Sequence, residues 1–388
     1  MTELFIITLG LWCTGWLLRC RMTACLPRRA QAGGVELGVT PAACAERLSI
    51  IIPARNEETT LPNLLRSIRS QSVKPREIIV VDDGSMDRTA EVAQQLGAKV
   101  IRSQPLPEDW RGKTWACHQG AQAATGELLM FLDADTWFEP EGLVHLFATY
   151  VVQPAMGGTA PQTNRTPKCE KQTQQTEPGS FLVGAFSVGP YHAVQKLHEQ
   201  SSLFFNLTMV VGTVPNGLFG QMLLVDRQSY LQVGGHETVR GKILENYFLA
   251  QRFRAAGVPV RSVTGRGVLS FRMYPNGLRE LIEGWTKGFA AGAGQTPRGV
   301  LVLVVGWMTG LTLAPLGWAI SGDWLRWGTL YLVCAAQVGW LSRCIGSFRW
   351  YTALLYPVPL VFFFGVFARA ALRSGKHVTW KGRNIRAD

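Results

Sequence analysis

Asp133 and Asp135 stand one residue apart at the end of the stretch Leu128–Thr136, LLMFLDADT. The five apolar residues before them read as a strand buried on both faces. Ligands of open α/β sheets gather just beyond the carboxyl ends of such strands. Residues i and i+2 of an extended chain face the same side, so both carboxylates can address one site. Paired hard oxygen ligands suit Mg²⁺ or Mn²⁺, ions that usually arrive carrying phosphates. A solvated turn after a strand explains an isolated pair of this kind equally well, so the weight falls on what flanks it.

The flanking residues carry chemistry in the same pattern. LSIII (48–52) reads as a strand and runs into PARNEE, which holds Pro53, Ala54, Arg55 and Glu57. A helix follows, with Leu61, Leu64, Leu65 and Ile68 at helical spacing. EIIVV (77–81) reads as a second strand ending at Asp83 and Gly84 in DDGS, before a helix of about ten residues capped by Ser85 or Asp87. KVIR (99–102) is a third strand, RGKTW supplies Lys113 as a loop cation, and Thr114–Ala124 is a helix leading into the strand at Glu127–Leu132. Strands alternating with short helices predict parallel pairing and a nucleotide-binding type of sheet. Further on, QMLLV (221–225) leads to VGGH (233–236), and a helix over Lys242–Ala256 carries Glu245 and Asn246 in its first turns.

Composition places the chain between a soluble enzyme and an integral membrane protein. Only 17% of its 388 residues are charged, it holds 13 Trp, and its formal net charge is +12. Such a charge suits nucleic acid, anionic lipid or a phosphorylated substrate. No zinc-finger spacing or other nucleic-acid motif accompanies it, so lipid and phosphate are the expected partners and nucleic acid is not. None of the eight cysteines forms a CxxC pair, which argues for reduced, buried thiols rather than a disulfide framework. Nothing in the sequence bears on oligomeric state.

The apolar residues concentrate at the two ends. Leu4–Leu18 is followed by Arg19, Arg21, Arg28 and Arg29 and preceded only by Glu3, which suits a signal anchor with its C-terminal flank in the cytoplasm. Residues 1–20 are thus expected to be a membrane anchor and 21–46 a linker. Residues 47–274 make the catalytic domain and 275–298 an interfacial amphipathic helix with Trp285 and Lys287. A transmembrane region occupies 299–372 and a basic tail 373–388. Phe181–Gly220 is apolar but broken by Gly, Pro and Asn, and is read as buried core or an acceptor groove rather than a span. Gly299–Ile320, Trp324–Leu341 and Trp350–Leu372 each approach the length of a span. Three crossings after a cytoplasmic domain put the basic tail outside, against the positive-inside tendency. One segment is therefore expected to be re-entrant or interfacial, either Trp324–Leu341 or the last, with Pro357 and Pro359.

The ordered set PARNE, DDGS, DAD and GGH…LEN resembles glycosyltransferase family 2, inverting enzymes of GT-A fold that use nucleotide-diphospho-sugars. The fold this implies is α/β, a GT-A nucleotide-diphospho-sugar transferase domain with a mostly parallel, Rossmann-like sheet and transmembrane helices at both ends. The resemblance assigns Asp83 to the uracil N–H, with Pro53, Ala54, Arg55 and Glu57 around base and ribose. Gly84 lets the backbone turn near the nucleotide, and Lys113 adds positive charge near the donor. Asp133 goes to the ribose or a second metal contact, and Asp135 to the metal. The family's general base lies in an acidic pair, commonly Glu-Asp, that here reads Glu245-Asn246. Asn takes no proton, so either Glu245 serves or no strong base is needed; a helix N-terminal carboxylate also has a plain role as a dipole partner.

GKTWACHQGAQAATGELLMFLDADT (112–136), FRMYPNGLRELIEGWTKGFAAGA (271–293) and TWKGR (379–383) are similar to the membrane-bound branch that glycosylates carotenoid acids such as 4,4'-diaponeurosporenoate. That implies a UDP-glucose donor, a lipid acceptor and a multi-pass protein of the cell membrane with its catalytic domain in the cytoplasm. A carboxylic acid with a pKa of about 4–5 is ionised at neutral pH and attacks without losing a proton, which fits Asn246. Trp285 and Lys287 fall where processive relatives carry Gln-x-x-Arg-Trp; the signature is absent, which favours adding one sugar, and Trp285 reads equally well as an interfacial anchor. The alternatives are polyprenyl phosphate, a hopanoid or another lipid as acceptor, or a non-catalytic scaffold with a degenerate nucleotide fold.

Overall fold

The computed structural model describes residues 1–23, 40–151, 184–242, 244–292, 296–373, 378–380 and 383–385. The N-terminal apolar run forms α1 (Thr2–Thr23), longer than the apolar residues alone because the Arg and Met that follow are good helix formers. The expected linker is shortened from its other end too. Pro41–Glu46 is a helix, α2, with Thr40 accepting from the Ala43 amide at 3.2 Å and Cys44 and Ala45 buried. The rest of that linker, 24–39, lies outside the described residues.

The alternation of strand and helix then unfolds as expected. β1 (Leu48–Ala54), α3 (Leu61–Arg69), β2 (Glu77–Asp82), α4 (Thr89–Gln95), β3 (Lys99–Arg102), α5 (Gly112–Ala123) and β4 (Leu128–Leu132) follow one another. β1 pairs in parallel with β2 on one side and β4 on the other, with Ile51 opposite Ile79 and Phe131. The chain thus works outward from β1 to β3, then returns to β4, and this reversal opens a crevice at the strands' carboxyl ends. Leu61, Leu64, Leu65 and Ile68 are all buried, as their spacing requires. α4 is shorter than expected, seven residues, and it is Asp87 that accepts from the Thr89 amide at 3.0 Å, while Ser85 instead accepts from the Asn56 amide.

β5 (Thr136–Phe138), α6 (Gly142–Val151), β6 (Ala185–Gly189), β7 (Tyr191–His192), a 3-10 turn (His198–Ser202), α7 (Leu203–Thr213), β8 (Met222–Asp226) and α8 (Arg227–Gln232) come next. A 3-10 turn (Gly235–Val239), α9 (Glu245–Ala255), β9 (Val260–Thr264) and β10 (Leu269–Phe271) complete this part. The main sheet runs β3-β2-β1-β4-β8-β6-β9, parallel except where β8 opposes both neighbours. It is the mostly parallel α/β sheet expected, with one hydrophobic core on each face.

A third core joins α1 and α7 to the C-terminal helices. These are α10 (Leu278–Gly292), α11 (Arg298–Ser321), a π turn (Trp324–Gly328), α12 (Thr329–Ile345), α13 (Trp350–Leu354) and α14 (Pro357–Arg373). α1 and α11 are long and apolar enough to cross a membrane, whereas α14 is a shorter apolar helix. Trp285 is not an interfacial anchor. Its ring stacks on Phe205 at 4.8 Å and its Nε1 donates to Ser202 Oγ at 3.1 Å, so it locks α10 to α7. The side chain of Lys287 lies outside the described residues. Within the tail, β11 (Val378–Trp380) pairs antiparallel with β12 (Arg383–Ile385).

Candidate active site

The ends of β1, β2 and β4 deliver their residues to one cleft of about 720 Å³. Pro53, Ala54, Arg55 and Glu57 line it from β1, Asp83 from β2, Asp133 and Asp135 from β4, Lys113 from α5, and Glu245 and Asn246 from α9. Ten of the eleven residues singled out in the sequence therefore meet. Gly84 does not line the cleft; it turns the chain beside Asp83 with φ +68°, a conformation that favours glycine.

α5 starts two residues earlier than expected, so Lys113 is a first-turn helix residue rather than a loop cation. Arg111 is extended, and its amide donates to Arg240 O at 2.9 Å, which fixes where the helix begins. From there Lys113 Nζ reaches Asp133 Oδ1 at 2.7 Å, Glu245 Oε1 at 2.8 Å and Gly220 O at 2.8 Å. The contact with Glu245 is an ion pair outside hydrogen-bond alignment. Burial pulls the lysine towards neutrality, but Asp133 and Glu245 outweigh it and hold the ammonium charged.

Glu245 is the first residue of α9, and Asn246 the second. Asn246 Nδ2 donates to Phe219 O at 2.7 Å, in buried surroundings. Neighbouring carbonyls of one segment, Phe219 and Gly220, are thus held by Asn246 and Lys113. On the opposite wall Arg55 donates to Asp83 O at 2.9 Å and pairs with its carboxylate at 3.6 Å. Asp135 is crowded by protein yet opens to the cleft. Burial first, then the charges of Asp133 and Glu57, push its carboxyl up to about 7, against the opposing pull of Lys113. Among the described residues no group of three or more His, Cys, Asp and Glu is arranged to hold a metal by itself.

The GGH segment serves packing. Gly235 (φ +51°) lies where a Cβ would strike the Tyr230 ring, and His236 is buried with Nδ1 2.9 Å from the Tyr230 hydroxyl. Burial pushes that imidazole down to about 3, so it stays neutral. Sequence reasoning missed the apolar wall of the cleft, Leu106, Trp110, Leu218, Leu244 and Tyr247. Its one signal was the proximity of Trp110 to RGKTW; Leu218 lies in a stretch with no motif.

The model of the family described as "Glycosyl transferase family 2" matches residues 49–213. The 4,4'-diaponeurosporenoate glycosyltransferase of Staphylococcus haemolyticus (strain JCSC1435) is 35% identical over 288 residues, 71% of this chain and 70% of that protein. The enzyme of the same name from Staphylococcus aureus (strain USA300) is 33% identical over 357 residues, 87% of each chain. Among solved structures, mannosyltransferase PcManGT from Pyrobaculum calidifontis, in complex with GDP-Man and Mn²⁺, is 17% identical with a TM-score of 0.49, covering 96% of this chain and 98% of that one. Glucosyl-3-phosphoglycerate synthase from Mycobacterium tuberculosis is 21% identical with a TM-score of 0.42, covering 70% and 88%. The chain belongs to glycosyltransferase family 2. It is a glycosyltransferase of GT-A fold, and the scaffold alternative falls away.

Proposed function

We propose that the enzyme transfers one hexosyl residue, glucose, from UDP-glucose to a carotenoid carboxylic acid such as 4,4'-diaponeurosporenoate, giving a glycosyl ester with inversion. The observation that carries this reading is the state of the α9 pair. Glu245 is committed to the Lys113 ammonium, and Asn246, which takes no proton, is committed to Phe219 O. A hydroxyl acceptor needs a base within hydrogen-bond reach. A carboxylate does not, because it is already ionised. Its oxygen forms the bond to C1 as the bond from C1 to the diphosphate breaks, the electron pair leaves with UDP, and no proton moves. Lys113 neutralises Glu245, so an anionic acceptor can approach that carboxylate without full repulsion. The names of the relatives point to the same acceptor class.

The donor half of the cleft suits a nucleoside diphosphate. Asp83 would accept from the uracil, Arg55 and Glu57 flank base and ribose with Pro53 and Ala54, and Gly84 shapes the turn beside them. Asp135, with Asp133 as second contact, would hold Mg²⁺ or Mn²⁺, whose charge offsets that gathering on the departing diphosphate. No third His, Cys, Asp or Glu among the described residues joins Asp133 and Asp135 as a ligand group, so the site fits an ion that takes its other ligands from phosphate and water. Asp135, pushed towards protonation by its surroundings, is a group that a cation would relieve.

A position at the cytoplasmic face of the cell membrane is part of the same proposal, and the basic residues that flank the apolar helices support it: Arg19 and Arg21 close α1 and Arg298 opens α11. A polyprenyl phosphate is a second acceptor that arrives ionised; a hopanoid or diacylglycerol is an alcohol and is not favoured. The test incubates membranes holding the enzyme with labelled UDP-glucose and lipid acids, a polyprenyl phosphate and lipid alcohols, with products read by mass spectrometry. Esters of the acids are expected. Efficient transfer to alcohols with none to acids overturns the reading.

A further inference from the structure

The depth reached by the last apolar segment follows from its contacts. α11 is 24 residues and about 36 Å long at 1.5 Å per residue, enough for a hydrocarbon core of about 30 Å. Just before its first residue, Thr296 lies against Gly212 of α7, within the catalytic domain. At the opposite end Phe5 of α1 meets Trp327 of the π turn, with ring centres 5.3 Å apart, and the π turn leads back into α12. α12 therefore returns to the catalytic domain. At its end Gly346 bridges His192 of β7, the Ser347 amide donates to His192 O at 2.9 Å, and the Val194 amide donates to Ser347 Oγ at 2.8 Å.

From that fixed point the chain turns outward again, but not far. The Arg349 amide and the Thr352 hydroxyl donate to Gln200 Oε1 at 3.2 and 2.6 Å, still at the domain. The Tyr356 hydroxyl donates to Leu311 O at 3.0 Å. Leu311 is 13 residues into α11, about 20 Å from its start and some 15 Å short of the far end. The chain reverses there at Leu355–Tyr356, and Pro357 opens α14. α14 comes back: Phe363 meets Phe205 of α7 at 4.9 Å, and α14 packs along α10, the helix that follows the catalytic sheet. Its outer face carries Val358, Val361, Phe364 and Phe367, exposed apolar side chains at spacings of three. Arg349 precedes the hairpin, and Arg369 and Arg373 end it.

We propose that α13 and α14 form a re-entrant hairpin whose exposed apolar face is covered by acyl chains of the leaflet next to the catalytic domain, with both ends on that domain's side. α1, α11 and α12 cross, and the last segment does not. The occupant is lipid rather than another protein because this face continues the exposed apolar surface of α11 (Leu301, Val302 and Val305), and because arginines bracket it at headgroup depth. This arrangement also leaves Arg373, the last residue of α14, on the cytoplasmic side. The inference rests on the membrane reading above, and carbonate extraction separates the two.

The test fuses the full chain at its C-terminus to green fluorescent protein or to alkaline phosphatase in bacterial cells. Asp323→Cys and Leu355→Cys are labelled on intact cells with a membrane-impermeant maleimide and compared with the parent chain. We expect a fluorescent fusion, an inactive phosphatase fusion, external labelling gained by Asp323→Cys, and none gained by Leu355→Cys. Active phosphatase, external labelling of Leu355→Cys, or none of Asp323→Cys overturns the hairpin while leaving an enzyme that resists carbonate a membrane protein. Release of the chain by carbonate overturns the membrane reading and the hairpin with it.

Discussion

Lys113 and Glu245 form an ion pair 2.8 Å long across the floor of the cleft, joining the start of α5 to the start of α9. Lys113→Met leaves a carboxylate that is only 7% exposed without its cation. The expected cost is about 1–3 kcal/mol of stability, less than the 3–5 kcal/mol of a fully buried pair because the lysine is 27% exposed. Transfer should fall on the order of 10²–10³-fold as the donor loses a positive charge. Adding Glu245→Gln should restore stability but not transfer. Denaturant melts and turnover of the two variants decide it, and full turnover by Lys113→Met would remove the lysine from the chemistry.

Asn246 acts through the backbone it holds. Asn246→Ala leaves the buried Phe219 O with only the long 3.5 Å contact from the Ser187 hydroxyl, at a cost of about 1–3 kcal/mol. Asn246→Asp sets a carboxylate against that same carbonyl oxygen and beside Glu245, so it should be less stable than the alanine variant and slower with a lipid acid. If Asn246→Asp instead proves the faster enzyme on acids, the argument that this position needs a donor fails.

The DAD carboxylates are expected to require a divalent ion. Chelation should abolish transfer, and Mn²⁺ or Mg²⁺ should restore it. Asp135→Asn should lose both transfer and metal-dependent UDP binding, with its melting temperature close to the parent's because the residue opens to the cleft. Binding of UDP is measured by calorimetry with and without the ion; equal affinity in both conditions would count against a metal-diphosphate clamp.

Glu199 gives the fold a pH dependence away from the site. It is buried, and burial alone would raise its carboxyl. The amides of Lys196 and Gln195 and the Arg272 guanidinium, at 2.8 Å, outweigh that and hold it below the usual range. A carboxyl depressed in the folded state binds fewer protons there than in the unfolded chain, so its stabilisation is present above about pH 4.5 and lost as pH falls through the folded value. Glu199→Gln should lower the melting temperature at pH 7 and flatten its fall between pH 5 and 3. Parallel curves for the two proteins would contradict this.

The donor side of the site was legible because its residues sit at strand ends, where a buried apolar run and an abrupt acid mark the place locally. Asp83, Asp133 and Asp135 needed only the order of the strands. The start of α5 was misjudged because the contact that sets it, Arg111 to Arg240, spans 129 residues. Trp285 was misread for the same reason: its partners Ser202 and Phe205 lie some eighty residues away, and no local pattern names them. The hairpin of α13 and α14 was one of two options in the sequence. Its depth depends on Tyr356 meeting Leu311, a contact between helices that composition does not encode.

Leu218 packs with the core under the sheet, while its neighbour Phe219 packs among α1, α7 and the C-terminal helices. The carbonyls gripped by Asn246 and Lys113, those of Phe219 and Gly220, therefore follow directly on two residues anchored one in each core. Whatever loosens the helical packing, a short-chain detergent or a thinner bilayer, shifts the positions from which the reacting groups are aimed. If the proposed membrane placement holds, the host lipid is a working part of the enzyme, and turnover should track bilayer thickness even for an acceptor supplied in excess.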